Sequence, residues 1–261
     1  MAGKIHLIGA GPGDPELLTL RALRLIQDAD VVVHDRLVSA GIMALVPATV
    51  RRIAVGKAAG FHPVPQGRIN AILVELGQAG LTVARLKGGD PMIFGRGGEE
   101  GQALTDAGIA WDYVPGITAV QGAAMATRLP LTQRGLATGL RLVTGHRAGD
   151  GPLDLDWASL ADPDTTLAVY MGAENMAGIA ARLIAQGMPA DLPVLAISGA
   201  TTAQEMRLTA TLAAIGARLE VTPMPAPLLF ILGRVAALAG DAALPLPARP
   251  PAVHRLAARH G

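Results

Sequence analysis

The chain has 261 residues, 51% of them apolar and 16% charged, with a formal net charge of +1. That is enough apolar material for one large domain or two modest ones, and a near-neutral balance gives no reason to expect a nucleic-acid partner. Cysteine is absent, which excludes disulfides, thiolate metal sites and a cysteine nucleophile. The apolar stretch Met224 to Gly240 has prolines around its start and Arg234 inside it, so it reads as a strand and then a helix, not as a membrane span. Lys4 leads at once into a strand pattern that does not resemble a signal peptide. These features predict a soluble cytoplasmic protein without a membrane partner.

Lys4 to Ile8 reads as a short strand, followed by the turn GAGPGDP and a helix from Glu16 to Asp28. Asp14 suits the cap of that helix and Pro15 its first turn. Val31 to Val33 is a second strand, ending on His34, Asp35 and Arg36, and Ser39 to Val46 a short helix before Pro47. The pattern continues with a strand at Val50 to Val55 ending on Gly56 and Lys57, a helix at Gln66 to Leu76, and a strand at Leu81 to Leu86. A helix at Glu99 to Ala107, a strand at Trp111 to Val114 and a small-residue helix at Val120 to Thr127 complete this half. Strands alternating with helices imply a largely parallel sheet covered on both faces.

Pro130 and two glycines interrupt the pattern between Leu129 and Gly139, where a linker is expected. A second α/β series follows, with strands at Arg141 to Val143, Thr166 to Tyr170, Val194 to Ile197, Glu205 to Thr209 and Leu228 to Leu232. Its helices are expected at Glu174 to Gln186 and Leu212 to Leu219. The expected division is an α/β domain over residues 1–134, a second over 135–241, and a poorly ordered tail over 242–261. A cleft between two such units is a natural ligand site.

One stretch stands out. Arg85 to Glu100 reads RLKGGDPMIFGRGGEE, with five glycines among six charged residues, and it leaves the end of a strand. Ligands in open α/β sheets sit at strand carboxyl ends. Asp35, Lys57, Asp90 and Arg96 all follow strands of the first unit and should meet along that edge; His146 in TGHR repeats the placement in the second. Each has a plainer reading too: a helix cap for Asp35, solvated cations at Lys57 and Arg96, a turn at Asp90, an exposed loop at His146, core packing at Met171. GAGPGDP fails the dinucleotide fingerprint, because the final glycine is Asp14 and Pro12 removes an amide that a pyrophosphate would use. The six histidines show no metal-ligand spacing, and G-x-S-x-G is absent.

IHLIGAGPGDPELLT, DRLVS, VGK, LKGGDPMIFGRGGEE, VPGITA, LPLT and YMG, in this order, resemble the S-adenosylmethionine-dependent tetrapyrrole methylases over about Lys4 to Ala239. The resemblance is nearest to the branch that acts on uroporphyrinogen III. It implies two α/β domains with the active site in the cleft between them, a homodimer, S-adenosyl-L-methionine as methyl donor and no metal. The implied reaction is C-methylation of uroporphyrinogen III at ring carbons 2 and 7, giving precorrin-2 via precorrin-1, for sirohaem, cobalamin or d-type haem. Without an appended dehydrogenase or chelatase segment the chain reads as a stand-alone methylase. Methylation of a later cobalamin precursor such as precorrin-4 is the alternative within the family, and a non-catalytic tetrapyrrole carrier the alternative outside it.

By position, the resemblance assigns the cofactor to Pro12, Gly88, Gly89, Asp90, Ile93, Thr118, Ala119, Met171 and Ala200. Ala200 lies in Ser198-Gly199-Ala200-Thr201, where relatives often have Asn-Gly-Thr. Met92 and Gln133 replace a frequent Phe and His. Arg96, Glu99, His146 and Met171 are assigned to the substrate, and Asp35, Arg96 and Lys57 to catalysis. Arginine stays protonated near neutrality, so Arg96 is expected to bind carboxylates before it handles protons. The glycines of Gly88 to Ile93 are expected to admit the cofactor closely.

Overall fold

The computed structural model describes residues 3–56, 64–146 and 153–239. Lys57 and the expected tail at 242–261 lie outside them. The first sheet contains β1 (Lys4–Gly9), β2 (Val31–His34), β3 (Arg51–Ala54), β4 (Thr82–Lys87) and β5 (Ala110–Val114) in the order β3-β2-β4-β1-β5. Every pairing in it is parallel. All five carboxyl ends therefore lie along one edge.

Both faces of this sheet are covered, so its central strands are buried at nearly every position. Ile8, Val32, Ala84 and Leu86 pack with Ala22 and Ile26 of α1 (Leu20–Gln27) and Ile42 of α2 (Ala40–Met43). Ile5, Leu7, Val31, Val33 and Val83 pack on the other side with Ile69 and Leu73 of α3 (Gln66–Gln78) and Leu104 of α4 (Gly97–Asp106). The helix expected over Glu16 to Asp28 is split. Asp14 caps a single 3-10 turn at Pro15–Leu17, accepting from the Glu16 amide at 3.0 Å. Thr19 then caps α1 through the Ala22 amide at 3.1 Å. A threonine oxygen offered to that amide competes with helix continuation through residue 18.

The second sheet has β6 (Gly139–Thr144), β7 (Thr165–Tyr170), β8 (Pro193–Ser198), β9 (Met206–Thr211) and β10 (Leu228–Leu232) in the order β6-β7-β10-β8-β9. Only β6 and β7 pair in parallel; β10 runs antiparallel to both β7 and β8, and β9 antiparallel to β8. One face packs on α7 (Met176–Ala185) and α8 (Ile215–Val221) through Val169, Ala196 and Phe230. A short α6 (Trp157–Leu160), absent from the sequence-based expectation, closes its end.

The other face of the second sheet is covered by a helix from the first half of the chain. Val120 and Ala123 of α5 (Ala119–Thr127) pack with Ala168, Leu195, Ile197, Leu229 and Ile231. The expected linker is part of the same core: Leu129 and Ala137 are buried in it. Small residues suit α5 because it is wedged closely. A Cβ added at Gly122 would lie 2.4 Å from Cβ of Pro12.

Candidate active site

Three turns meet at the carboxyl edge of the first sheet. Gly11 and Gly89 exchange backbone hydrogen bonds, Gly89 N to Gly11 O at 2.8 Å and Gly11 N to Gly89 O at 3.2 Å. The turn after β5 presses onto both neighbours: a Cβ at Gly116 would lie 2.2 Å from the Gly89 carbonyl and 2.7 Å from Cα of Gly9. Backbone cannot give way as a flexible side chain can, so glycine is required where these turns cross. Gly88 is similarly close to Leu37, whose Cβ would lie 2.8 Å from an added one. Glycine content in this stretch thus has a first explanation that the sequence did not reveal, which is contact between loops.

Asp90 holds the junction together. Its Oδ1 accepts from the Met92 amide at 2.7 Å, and its Oδ2 accepts from the Tyr113 hydroxyl at 2.5 Å and the Gly116 amide at 3.0 Å. The residue is buried. Burial, followed by the hydrogen bond to Asp90 and then its charge, pushes the Tyr113 phenol up to about 12. An aspartate with three protein donors is an internal brace of the turn.

The second unit meets this junction at the start of α5. The Tyr170 hydroxyl, at the end of β7, lies 2.8 Å from Oγ1 of Thr118 and accepts from the Val120 amide at 3.1 Å. Burial raises the Tyr170 phenol above its ordinary range, and the two hydrogen bonds only partly offset this. The Phe94 ring stands 5.0 Å from that of Tyr170. Met171 follows with φ of 54°, a left-handed value uncommon for a side chain of its kind, and it is half exposed. After β8, Thr201 accepts from the Asp14 amide at 3.2 Å through its hydroxyl. Ala200 packs against the core cluster that contains Val120 and Ala123.

Pro12, Gly89, Thr118, Ala119 and Ala200 therefore lie around the amino-terminal part of α5, and Met171 directly follows Tyr170, which bonds to it. An added Cβ on Gly89 would be 3.7 Å from both the Ala119 amide and Cα of Thr118. Ile93 is half-buried on the same loop, its amide donating to the Asp90 carbonyl at 3.3 Å. A cavity of about 780 Å³ has Pro12, Arg36, Leu37, Ser39, Thr202 and Pro225 in its wall; of the cofactor candidates only Pro12 lines it, so it opens on the far side of the GAGPGDP turn from Gly89 and Thr118. Such a volume suits a ligand of nucleoside or macrocycle size.

Charge is concentrated on the first-sheet side. Asp35, just past β2, accepts from Nη2 of Arg85 at 2.7 Å. Arg85 also reaches Glu100 on α4, Nη2 to Oε1 at 2.9 Å and Nε to Oε2 at 3.3 Å. Nζ of Lys87 donates to Oε1 of Glu100 at 2.7 Å. Burial works against the Arg85 charge, but Glu100 and Asp35 outweigh it and hold the guanidinium above its usual pKa. Burial and then the Arg85 charge push the Lys87 ammonium below the ordinary lysine range, against the pull of Glu100 and Asp35.

Arg96 caps α4 in a left-handed conformation and is exposed. Its guanidinium forks onto Glu99, Nε to Oε1 and Nη2 to Oε2, both at 2.7 Å. That hydrogen-bonded fork raises Arg96 and lowers Glu99 from their ordinary values. The two residues assigned together to the substrate are thus partners of each other. His146 is exposed at the end of β6, its carbonyl accepting from the Thr144 hydroxyl at 2.8 Å.

The chain that carries this site matches a known family over most of its length. The family model for tetrapyrrole (corrin/porphyrin) methylases matches residues 4–216. This chain belongs to that family. It is 74% identical to a uroporphyrinogen-III C-methyltransferase of Paracoccus denitrificans over 93% of this chain and 85% of that protein. It is 48% identical to a siroheme synthase of Acinetobacter baylyi over 90% of the chain, which spans about half (51%) of that longer protein. A crystal structure of uroporphyrin-III C-methyl transferase from Thermus thermophilus complexed with S-adenyl homocysteine superposes with a TM-score of 0.78 at 40% identity, covering 90% of this chain and 100% of that one.

Within this tetrapyrrole methylase, sequence reasoning missed Arg85, Lys87, Glu100, Tyr113 and Tyr170. A signal for the first two was present. They alternate on a strand that is otherwise apolar on both faces, and buried cations need counter-charges. Tyr170 directly precedes Met171 but carries no motif of its own.

Proposed function

We propose that the protein carries out S-adenosyl-L-methionine-dependent C-methylation of uroporphyrinogen III at ring carbons 2 and 7, yielding precorrin-2 via precorrin-1. The observation that carries this reading is 74% identity to a uroporphyrinogen-III C-methyltransferase over 93% of the chain. The convergence of the cofactor candidates around the amino end of α5 supports it. S-adenosyl-L-methionine supplies the methyl group as a sulfonium, so the protein's task is to align donor and pyrrole carbon.

We assign the cofactor to the wall made by Pro12, Gly88, Gly89, Ile93, Thr118, Ala119, Met171 and Ala200. These residues offer apolar surface and backbone polar groups, which suits an adenosine joined to an amino acid. Asp90 acts there by holding the turn, its oxygens being taken by Met92, Tyr113 and Gly116. Arg96 and His146 receive substrate carboxylates, for which a guanidinium fork is well shaped. Arg96 must first exchange its Glu99 partner for the substrate. Asp35 accepts the proton that the methylated pyrrole has to lose, and Lys57 completes the catalytic set.

The domain division at 134/135, a homodimer, and a cytoplasmic location belong to the same proposal, as does use of the product for sirohaem, cobalamin or d-type haem. Among the described residues no helix is long and apolar enough to cross a membrane. The test is to incubate purified protein anaerobically with uroporphyrinogen III and count S-adenosylhomocysteine. Two equivalents per macrocycle are expected. Unchanged uroporphyrinogen III alongside methylated precorrin-4 would move the assignment to the later precursor.

A further inference from the structure

The α3/α4-facing side of β4 changes character along its length. Val83 belongs to the apolar core, whereas Arg85 and Lys87, two and four residues on, are just as deeply buried. Glu100 faces them from α4 and is 0% exposed. Its Oε1 alone accepts from Arg85, Lys87 and Nε2 of Gln66, the last at 3.2 Å. Nη1 of Arg85 is tied to the Leu86 carbonyl at 3.1 Å. Asp35 is the fourth charge and the only one that reaches solvent, its side chain being 28% exposed. Replacing buried ion pairs by apolar side chains is often neutral or stabilising, so stability gives little reason for this set.

Its geometry does give a reason. We infer that Arg85, Lys87 and Glu100 are positioning residues that orient the Asp35 carboxylate and balance its charge. Arg85 holds Oδ1 at 2.7 Å, and Lys87 stands 3.7 Å from Oδ2. Glu100 fixes both cations from behind, so the carboxylate cannot turn without breaking a buried network. The inference rests on the reading of Asp35 as proton acceptor.

Two cations and two anions balance inside a low-dielectric site, so removing either sign acts strongly on the remaining carboxylate. Asp35 faces Arg85 and Lys87 from β4 and, through them, Glu100 from α4. Arg96 and Glu99, on the same helix, are paired with each other. The residues that α3 brings to Glu100 are Gln66 and, bonded to it, Asn70; both are uncharged. On the Asp35 segment itself His34 has Nδ1 3.3 Å from the Asp35 carbonyl, and Arg36 follows. Lys57, after β3, lies outside the described residues.

The test is the pH profile of kcat with both substrates saturating, together with the Kd for S-adenosylhomocysteine. Asp35→Asn identifies the limb that Asp35 controls. Glu100→Gln leaves an excess positive charge, which favours the ionised carboxylate; the acidic limb should move to lower pH by about one unit. Lys87→Met leaves an excess negative charge, and the limb should move to higher pH by a similar amount. In each variant the Kd should stay within about twofold, because the cofactor wall is untouched. Should Glu100→Gln fail to fold, Arg85→Lys keeps the charge but loses the fork; kcat should fall about tenfold with the limb unmoved. Limbs that stay put or move in one direction in the Glu100 and Lys87 variants would overturn the positioning role, as would wild-type kcat in Arg85→Lys. A fully active Asp35→Asn enzyme would instead overturn the catalytic reading of Asp35.

Discussion

The two sheets end differently where they meet. The first ends on a network of buried charge, with Arg85, Lys87 and Glu100 behind Asp35, and on three turns packed backbone to backbone. The second ends on Tyr170, Met171 and Ala200, and it reaches the junction mainly through one phenol and apolar surface. A parallel sheet puts every strand's carboxyl end on one edge, so residues distant in sequence can be gathered there. In the mixed sheet, β10 runs opposite to β7 and β8, so fewer of its ends face the cleft. Buried charge is thus concentrated on one side, and the other side meets it with a phenol and apolar surface.

If that contrast holds, the largest effect comes from the turn junction. Gly116→Ala forces a Cβ to within 2.2 Å of a carbonyl oxygen. It should cost about 3 kcal/mol or more in urea unfolding, since neither backbone can yield. Gly178→Ala in α7 meets nothing within 4 Å. That variant should gain about 0.5–1 kcal/mol from helix propensity alone. Equal tolerance at both positions would erase the distinction.

Next comes the charge asymmetry. Arg96→Ala should lower kcat/KM for uroporphyrinogen III by about 100-fold, with cofactor affinity within about twofold by calorimetry. His146→Ala, on the second unit, should lower it by less than about tenfold. A collapse of cofactor affinity in Arg96→Ala with turnover preserved would exchange the roles of the two halves of that loop. Tyr170→Phe tests the second unit's polar contribution. Losing the bonds to Thr118 and Val120 should cost about 1–2 kcal/mol and weaken S-adenosylhomocysteine binding, both measurable by denaturation and titration.

The smallest effect lies away from the cleft. Asp112 on β5 is bonded to His6, Lys4 and Arg21. Burial pushes its carboxyl up, but the hydrogen bonds from His6 and Lys4 outweigh burial and hold it below the ordinary range. A depressed carboxyl contributes stability that is present above its unfolded pKa of about 4 and lost as pH falls through the folded value. The stability gap between wild type and Asp112→Asn should be under about 1 kcal/mol at neutral pH and shrink in acid. A gap that widened in acid would reverse the sign of the argument.

Much of this was legible in the sequence. The alternation of strands and helices located all ten strands to within a residue or two. Asp14 is a cap, as expected, but of a 3-10 turn and not of the helix, which Thr19 caps. Asp35, Lys57, Asp90 and Arg96 were expected along one edge; Asp35 follows β2 and Asp90 and Arg96 follow β4 at the carboxyl ends of the parallel strands, while Lys57 lies outside the described residues. Other features were hidden. The counter-charges of Arg85 come from residues 15 and 50 positions away. Thr19 divided a helix that periodicity ran together. The apparent linker is core because α5 and residues 129–137 pack on a sheet formed entirely by later sequence.

Local rules act over one turn of helix or one pleat of strand, so the sequence alone determined the strands, the longer helices and the candidate loops. Tertiary structure decided which glycines touch, which carboxylate braces a turn and which one of a buried charge network reaches solvent. Those outcomes depend on atoms brought together from distant segments, and composition is the same whether Asp90 meets a ligand or meets Tyr113.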